Sequence, residues 1–417
     1  MIVAAVIATA LLGQQVPAPV TPLPAPAHVA GIRVRGNHTT PDDAVLAIAA
    51  VAPGAPFQDD TIATVTARLE ASHRFRSVEV LKRFESLSDP SAILLVVVVE
   101  EKVAISITDP NPSPVRRLWA STMWQPVLRF EDGYGFTYGA RLALVDVLGP
   151  HSRLSAPLTW GGERRATAEF ERTFERGPFS RIDVGAGVWR RENPAFDTGD
   201  TRTGTTVLAD RAVTRWFRVG ATGSLQSVQF GALDDSMKTA GVEATVDTRR
   251  DPAFPRNAVY AAVGWDRLWF DHAADTSRFT ADLRGFVGLF GQSVLAVRVQ
   301  ESRAADPLPA FEQALLGGTS SLRGFALGFR SGDRLASGTI ELRLPVSSPR
   351  HIGRTGIAVF ADSGAVYDAH TTLDRADFDT GGGAGWFMQL PMLSFRIDVA
   401  HGLGGGTRGH VTLGVSF

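Results

Sequence analysis

Cysteine is absent from all 417 residues. That excludes a disulfide scaffold, Cys-ligated zinc, a thiol nucleophile and a lipid-modified cysteine anchor. An excess of one charge is absent too. The 42 Lys and Arg against 43 Asp and Glu give a formal net charge of -1, without the basic face that marks nucleic-acid binding. Long hydrophobic runs are missing after position 14. A run such as Ile93 to Val99 falls far short of the roughly 20 apolar residues a membrane-spanning helix needs. A β-barrel remains open, because its signal per strand is much weaker. The nine His are scattered, with no HExxH or comparable ligand spacing, so neither a metal nor a cofactor is expected. Mean hydropathy of +0.02 places the chain between membrane-helical and disordered classes. Glycine, at 42 residues, exceeds its usual share and has no collagen period, which suits many tight turns and crowded strands.

The N-terminus, MIVAAVIATALLG, is apolar through Gly13. It is too short to span and matches the apolar stretch of a secretory signal peptide, with Ala8-Thr9-Ala10 as a small-residue site. No Lys or Arg precedes it, and the alternative is a buried first strand or helix. Residues 14–27 form a Pro/Ala/Val spacer of the kind that extends as polyproline II.

Residues 28–103 predict a small β-α-α-β-β domain. Ile32 and Val34 alternate with Arg33 and Arg35 in the first strand. Thr40 is placed to cap a helix, with Pro41 at its first position, Asp43 as the capping-box acid, and Val45, Ile48 and Ala49 as its apolar stripe. Asp60 opens a second helix carrying Ile62, Val65 and Leu69 on one face. Strands at 77–84 and 92–99 follow, the second apolar enough for a central strand covered on both sides. Residues 104–116 are read as a linker.

From about Arg117 the texture changes to segments of about ten alternating residues between turns, which is the pattern of a transmembrane barrel. Ile340, Leu342 and Leu344 alternate with Glu341 and Arg343; Leu393, Phe395, Ile397 and Val399 alternate with Ser394, Arg396 and Asp398. A soluble half-buried sheet also alternates. Here, however, charged residues recur on one side, opposite little but aliphatics and Phe, as a wet lumen and a lipid-facing exterior require. About sixteen such segments are expected between Leu118 and Phe417. Trp119, Trp124, Trp216, Trp265, Trp269 and Trp386 lie near segment ends, where interfacial girdles sit. The fold class expected is therefore an all-β transmembrane barrel over residues 117–417, preceded by the small α+β domain. A soluble β-sandwich or propeller is the competing reading.

The longest interruption of the barrel pattern, residues 305–333, contains Leu322, Arg323, Gly324 and Phe325. A long loop with apolar residues and an arginine between glycines must pack somewhere, and in a barrel the place is the lumen. A guanidinium there needs a carboxylate, preferably a bidentate one. Asp362, on the strand face of Ala358 and Phe360, is the expected main partner and Glu341 the second; Asp398 also faces inward. Gly324 would allow close backbone approach, and Gly383 and Gly385 would make room for the loop tip.

These residues resemble the BamA/TamA-type outer-membrane protein assembly superfamily, which also includes two-partner secretion transporters. The resemblance rests on GGTSSLRGF (317–325), GD (332–333), IELRLPV (340–346), FADSG (360–364, ending at Gly364), DTRRDPAFP (247–255) and the aromatic terminus VTLGVSF, ending at Phe417. The domain at 28–103 resembles a polypeptide-transport-associated (POTRA) domain, with Gly36-Asn37 closing its first strand and Phe75-Arg76-Ser77-Val78 opening its second. What the resemblance implies is a sixteen-stranded barrel with the loop folded inside, Arg323 as the family's loop arginine, Asp362 as its strand acid and Phe417 as the end of an assembly signal. It also implies an outer-membrane location with the small domain in the periplasm, contact with outer-membrane lipid, an unfolded outer-membrane or secreted polypeptide as client, and a periplasmic accessory protein as a further partner. One POTRA-like domain, rather than two or several, departs from the family pattern and bears on accessory docking.

The terminal glycines Gly402, Gly404, Gly405, Gly406, Gly409 and Gly414 would weaken the last hairpin and let the seam between first and last strands open to an incoming strand. Alternatively they serve tight packing and turns. Rival functions are a passive channel, a structural surface barrel and a barrel-embedded enzyme. The last has only Ser394, Asp398 and His401 near one another, and Gly318-Thr319-Ser320-Ser321-Leu322 lacks the closing glycine of a nucleophile elbow.

Overall fold

The computed structural model describes residues 26–86, 89–102, 113–347, 353–391 and 393–415. The signal-peptide reading, nearly all of the Pro-rich spacer, most of the 104–116 linker and Phe417 lie outside the described residues. The chain divides into two compact units, Met1–Ala120 and Ser121–Phe417.

In the first unit β1 (His28–Arg35), α1 (Asp42–Ala49), α2 (Thr61–Ala71), β2 (Phe75–Ser86) and β3 (Asp89–Glu101) are followed by a short helix, α3 (Pro114–Ala120). The sheet order is β1-β3-β2, so β3 is central, parallel to β1 and antiparallel to β2. Its alternate residues Ile93, Leu95, Val97 and Val99 are buried with Val45 and Ala49 of α1 and Val65 and Leu69 of α2. The helices cover one face only. Leu94, Val96 and Val98 on the other face stay half-buried, so the expectation of a strand covered on both sides is corrected. A continuous apolar run does not by itself distinguish one covered face from two.

The start of α1 also differs from the sequence reading. Pro41 is the N-cap, with no side-chain cap bond, and its carbonyl accepts from Val45. Thr40 instead gives its backbone N–H to Glu101, 2.7 Å away, and is 4% exposed. The Glu101 carboxylate also accepts the backbone N–H and hydroxyl of Thr39. It therefore ties the end of β3 to the turn before α1. Burial raises the pKa of Glu101, but the hydrogen bonds from Thr40 and Thr39 outweigh it and hold the carboxyl at about 2, below its ordinary 4.5. A depressed carboxylate contributes stability that is fully present above the unfolded pKa and lost as pH falls through the folded one, here between about 4.5 and 2. Solvent screening at this partly exposed group limits the contribution to about 1 kcal/mol. Glu101→Gln should therefore speed amide exchange at Thr39 and Thr40 several-fold at pH 7 in the full chain. Unchanged exchange there would refute the tie.

The second unit begins with β4 (Thr122–Glu131), β5 (Gly135–Val145), β6 (Ser152–Gly161), β7 (Glu163–Thr173), β8 (Arg181–Asn193) and β9 (Thr198–Ala212). It continues with β10 (Phe217–Phe230), β11 (Leu233–Asp247), β12 (Ala258–Phe270), β13 (Thr276–Gly288) and β14 (Val294–Ala304). The long loop holds β15 (Ala314–Leu316), the four-residue helix α4 (Gly318–Ser321) and β16 (Arg330–Gly332). Last come β17 (Arg334–Ser347), β18 (Arg354–Tyr367), β19 (Asp379–Gln389), β20 (Leu393–Gly402) and β21 (Thr407–Val415). All of these strands except β15 and β16, which pair with each other, close into one sixteen-stranded antiparallel barrel. Leu118 and Trp119, read as the start of the barrel pattern, belong instead to α3. A single seven-residue helix is too short to impose a visible helical period.

The barrel is polar inside and apolar outside. Ile340 is 57% exposed beside Glu341 at 4%, and Val399 is 55% exposed beside Asp398 at 1%. Trp124, Trp216, Trp265, Trp269 and Trp386 are exposed on the outer face. A soluble sandwich buries its aliphatics and solvates its charges. The reversed polarity, together with full closure, excludes that reading and is what an apolar bilayer outside and water inside demand.

Candidate functional site

The residues 305–333 leave β14 at Ala304 and return at Arg334, on adjacent barrel strands. Between these points the segment folds into the lumen, where two buried ion clusters hold it. The first hold is Glu312, whose carboxylate takes Arg202 of β9 at 2.7 Å and Arg278 of β13 at 2.8 Å. Arg202 also bonds the Phe311 carbonyl, and the Phe311 ring packs among Val228, Phe230, Met237, Leu268 and Phe270. Glu312→Ala would leave Arg278 without its carboxylate and Arg202 with Asp200 alone. Removing one member of a buried ion cluster costs about 3 kcal/mol. Cleavage of the loop near Phe311 by added protease should therefore accelerate at least tenfold, and an unchanged cleavage rate would refute this anchor.

The second hold is Arg323, which is 5% exposed. Its Nε and Nη2 donate to the two oxygens of Asp362 at 2.7 and 2.8 Å, the planar two-bond geometry that fixes a guanidinium in orientation as well as position. Its backbone N–H donates to the same carboxylate at 3.1 Å. Nη1 reaches Glu341 at 2.9 Å and Asp398 at 3.5 Å. The guanidinium carbon sits 3.3 Å from the centroid of Phe360, on the ring face, which adds a cation–π contribution. Asp362, Glu341 and Asp398 come from β18, β17 and β20, so the loop residue links three strands. Three carboxylates around one cation would repel one another. Arg396 offsets this, bonding Glu341 and Asp398 at 2.7 Å each, and Arg343 bonds Glu341 at 2.7 Å.

The neighbours of Arg323 seat it. Gly324 has φ +95°, and a Cβ there would lie 2.7 Å from the Gly402 nitrogen. Leu322 is fully buried with Leu316, Phe325 and Leu335. Phe325 fills space that side chains at Gly402 and Gly405 would take. On β18, Gly364 leaves room for Leu316 of the loop. Gly383 and Gly385 do not make room for the loop tip, contrary to the sequence reading. A Cβ on Gly383 would meet the Val399 carbonyl of the neighbouring strand, and one on Gly385 would strike the Asp398 carboxylate. The glycine of β19 that admits the loop is Gly381, where a Cβ would lie 2.2 Å from the Arg323 carbonyl oxygen.

The seam is thin. Between β21 and β4 the described ladder consists of Leu413 opposite Phe130 and Gly414 opposite Arg129. By contrast β20 and β21 pair from Leu393 with Val415 through His401 with Thr407. Of the terminal glycines, Gly404, Gly405 and Gly406 form the β20–β21 turn and Gly402 ends β20, while Gly409 and Gly414 lie within β21. His401 bonds Thr407 on the exposed face, whereas Asp398 faces inward to Arg323. The Ser-Asp-His grouping is therefore not assembled.

This loop, with its arginine on a strand acid inside a sixteen-stranded barrel, is matched at family level over residues 208–409. Residues 208–409 match the Omp85 superfamily domain. The resemblance drawn from the sequence is thereby borne out, and the barrel is of the Omp85 type. Its fold is similar to BamA from Haemophilus ducreyi lacking POTRA domains 1-3, at 14% identity and a TM-score of 0.61, over 93% of this chain and 84% of that one. It is similar to CdiB from Acinetobacter baumannii at 12% identity and a TM-score of 0.53, over 94% and 74% of the two chains. CdiB from Escherichia coli matches at 13% identity and a TM-score of 0.51, over 96% and 92%. No curated protein matches the sequence.

Several residues of the Omp85-type lumen cluster escape sequence reasoning. Arg396 shares strand parity with Asp398, a signal that was available. Glu312 and its partners Arg202 and Arg278 lie far apart in the chain, and nothing in their local pattern joins them. The same holds for His410, buried in β21 and bonded to both Gly324 and Asp132.

Proposed function

We propose that this Omp85-type barrel handles polypeptides, as an outer-membrane protein assembly factor or a polypeptide translocation factor. The observation that carries the reading is the pairing of a lumen loop pinned by Arg323 with a seam of two described residue pairs. A passive channel needs neither. Unpaired backbone groups at a parted seam would accept a client strand by β-augmentation. The unit at residues 28–103 acts as a periplasmic POTRA domain, and the outer edges of β1 and β2 in its sheet are where an extended client or an accessory protein would add. Residues 1–13 serve as the signal peptide that directs export, and the barrel carries no catalytic site.

The test is depletion of the chain in its native cell, with quantitative proteomics of the outer membrane and the medium. Selective loss of barrel proteins supports assembly, and loss of one secreted protein supports export. An unchanged proteome would overturn both. Arg323→Ala should reproduce whichever loss depletion causes.

A further inference from the structure

His410 lies in the last strand, is 1% exposed and uses both ring nitrogens. The backbone N–H of Gly324 donates to Nε2 at 2.9 Å. Since a backbone N–H only donates, Nε2 must present its lone pair, and Nδ1 carries the proton. Nδ1 then donates to the Asp132 carboxylate at 2.6 Å. Asp132 sits in the turn between β4 and β5, on the other side of the seam from β21. One imidazole thus joins three parts: the loop beside Arg323, the last strand and the first hairpin. The loop also touches that turn directly, since a Cβ on Gly133 would lie 2.7 Å from the Leu327 side chain.

We propose that His410 is a positioning residue that couples seating of the loop to closure of the seam. With the loop seated, Gly324 fixes the ring orientation in which Nδ1 reaches Asp132, and the last strand is held to the first hairpin. When the loop withdraws, Nε2 loses its donor, the ring is free to turn, and the Asp132 bond across the seam weakens. In the other direction, parting the seam removes Asp132 and loosens the grip on Gly324, as reciprocity of coupling requires. The inference rests on the reading of a seam that opens.

Because the chain has no cysteine, Leu413→Cys with Phe130→Cys gives one disulfide pair, directly opposite across the seam. Its rate of formation is measured in the full chain, folded in lipid vesicles, with heat-modifiable mobility as the check of folding. Arg323→Ala and His410→Ala should each slow formation about fivefold, and the double variant no further, because both remove one coupling. Asp132→Asn keeps an acceptor for Nδ1 and should stay near the parent rate, while Asp132→Ala should match His410→Ala. His410→Phe, which fills the volume without polar atoms, should match it too and covers the case of an alanine variant that does not fold. Slowing that multiplies in the double variant, or a parent rate in His410→Phe, would overturn the coupling. The locked disulfide tests the underlying reading separately. If the locked chain still supports the proteome lost on depletion, the opening seam falls, while the coupling stands on its own rates.

Discussion

Arg323→Ala is expected to lower barrel stability by about 3–5 kcal/mol, the cost of leaving buried charges without their partner. The variant strips Asp362 of both side-chain bonds from the guanidinium. Glu341 and Asp398 keep Arg396, and Glu341 keeps Arg343, so the loss concentrates on Asp362. The loop keeps its Glu312 anchor. The barrel should therefore still close, but unfold at a lower temperature, with the second half of the loop open to added protease. Differential scanning and heat-modifiable mobility measure the first effect, and cleavage between residues 318 and 330 measures the second. Lys in place of Ala should recover only part of the loss, because an ammonium cannot reproduce the two parallel bonds to Asp362.

Gly324→Val is expected to be nearly as damaging, although it removes no charge. The added side chain would meet the Gly402 nitrogen and the His401 carbonyl carbon, both under 3.0 Å from the Cβ position, at a φ that β-branched residues avoid. The backbone at 324 would have to move, and Arg323 with it. Loss of about 3 kcal/mol follows from a steric conflict with backbone on both sides. The diagnostic comparison is with Arg323→Ala. If the loop acts as one seated unit, the double variant is little worse than either single one. Independent, additive losses would mean that Gly324 and Arg323 serve different purposes.

The polarity of the barrel was legible in the sequence because a strand repeats every two residues. Glu341 and Arg343 against Ile340 and Leu342 carry the inside–outside assignment in the local pattern, and so do Asp398 and Arg396 against Ile397 and Val399. The expectation that the loop arginine needs an inward acid follows from the cost of an unpaired buried charge, and parity then narrows the choice to a few carboxylates. Registry between strands is not local. That Gly381 rather than Gly383 faces the loop depends on how β19 aligns with Arg323, and that Gly385 clears the Asp398 carboxylate depends on the β19–β20 register. The Glu312 anchor joins strands whose residues are 34 and 110 positions away in the chain. No period in the sequence reports such a meeting. The misplacement of Thr40 has a different origin. A capping signature of Thr, Pro and Asp is real, but a distant carboxylate, Glu101, takes the Thr40 backbone N–H that the capping-box acid would accept from.

Seating of the loop depends on Arg323 and Asp362 acting on each other inside the barrel. A double-mutant cycle of Arg323→Met and Asp362→Asn, read by unfolding in denaturant from detergent micelles, isolates that interaction. The prediction is a coupling of about 2 kcal/mol or more, with the double variant more stable than the sum of single losses allows. Losses that simply add would contradict it.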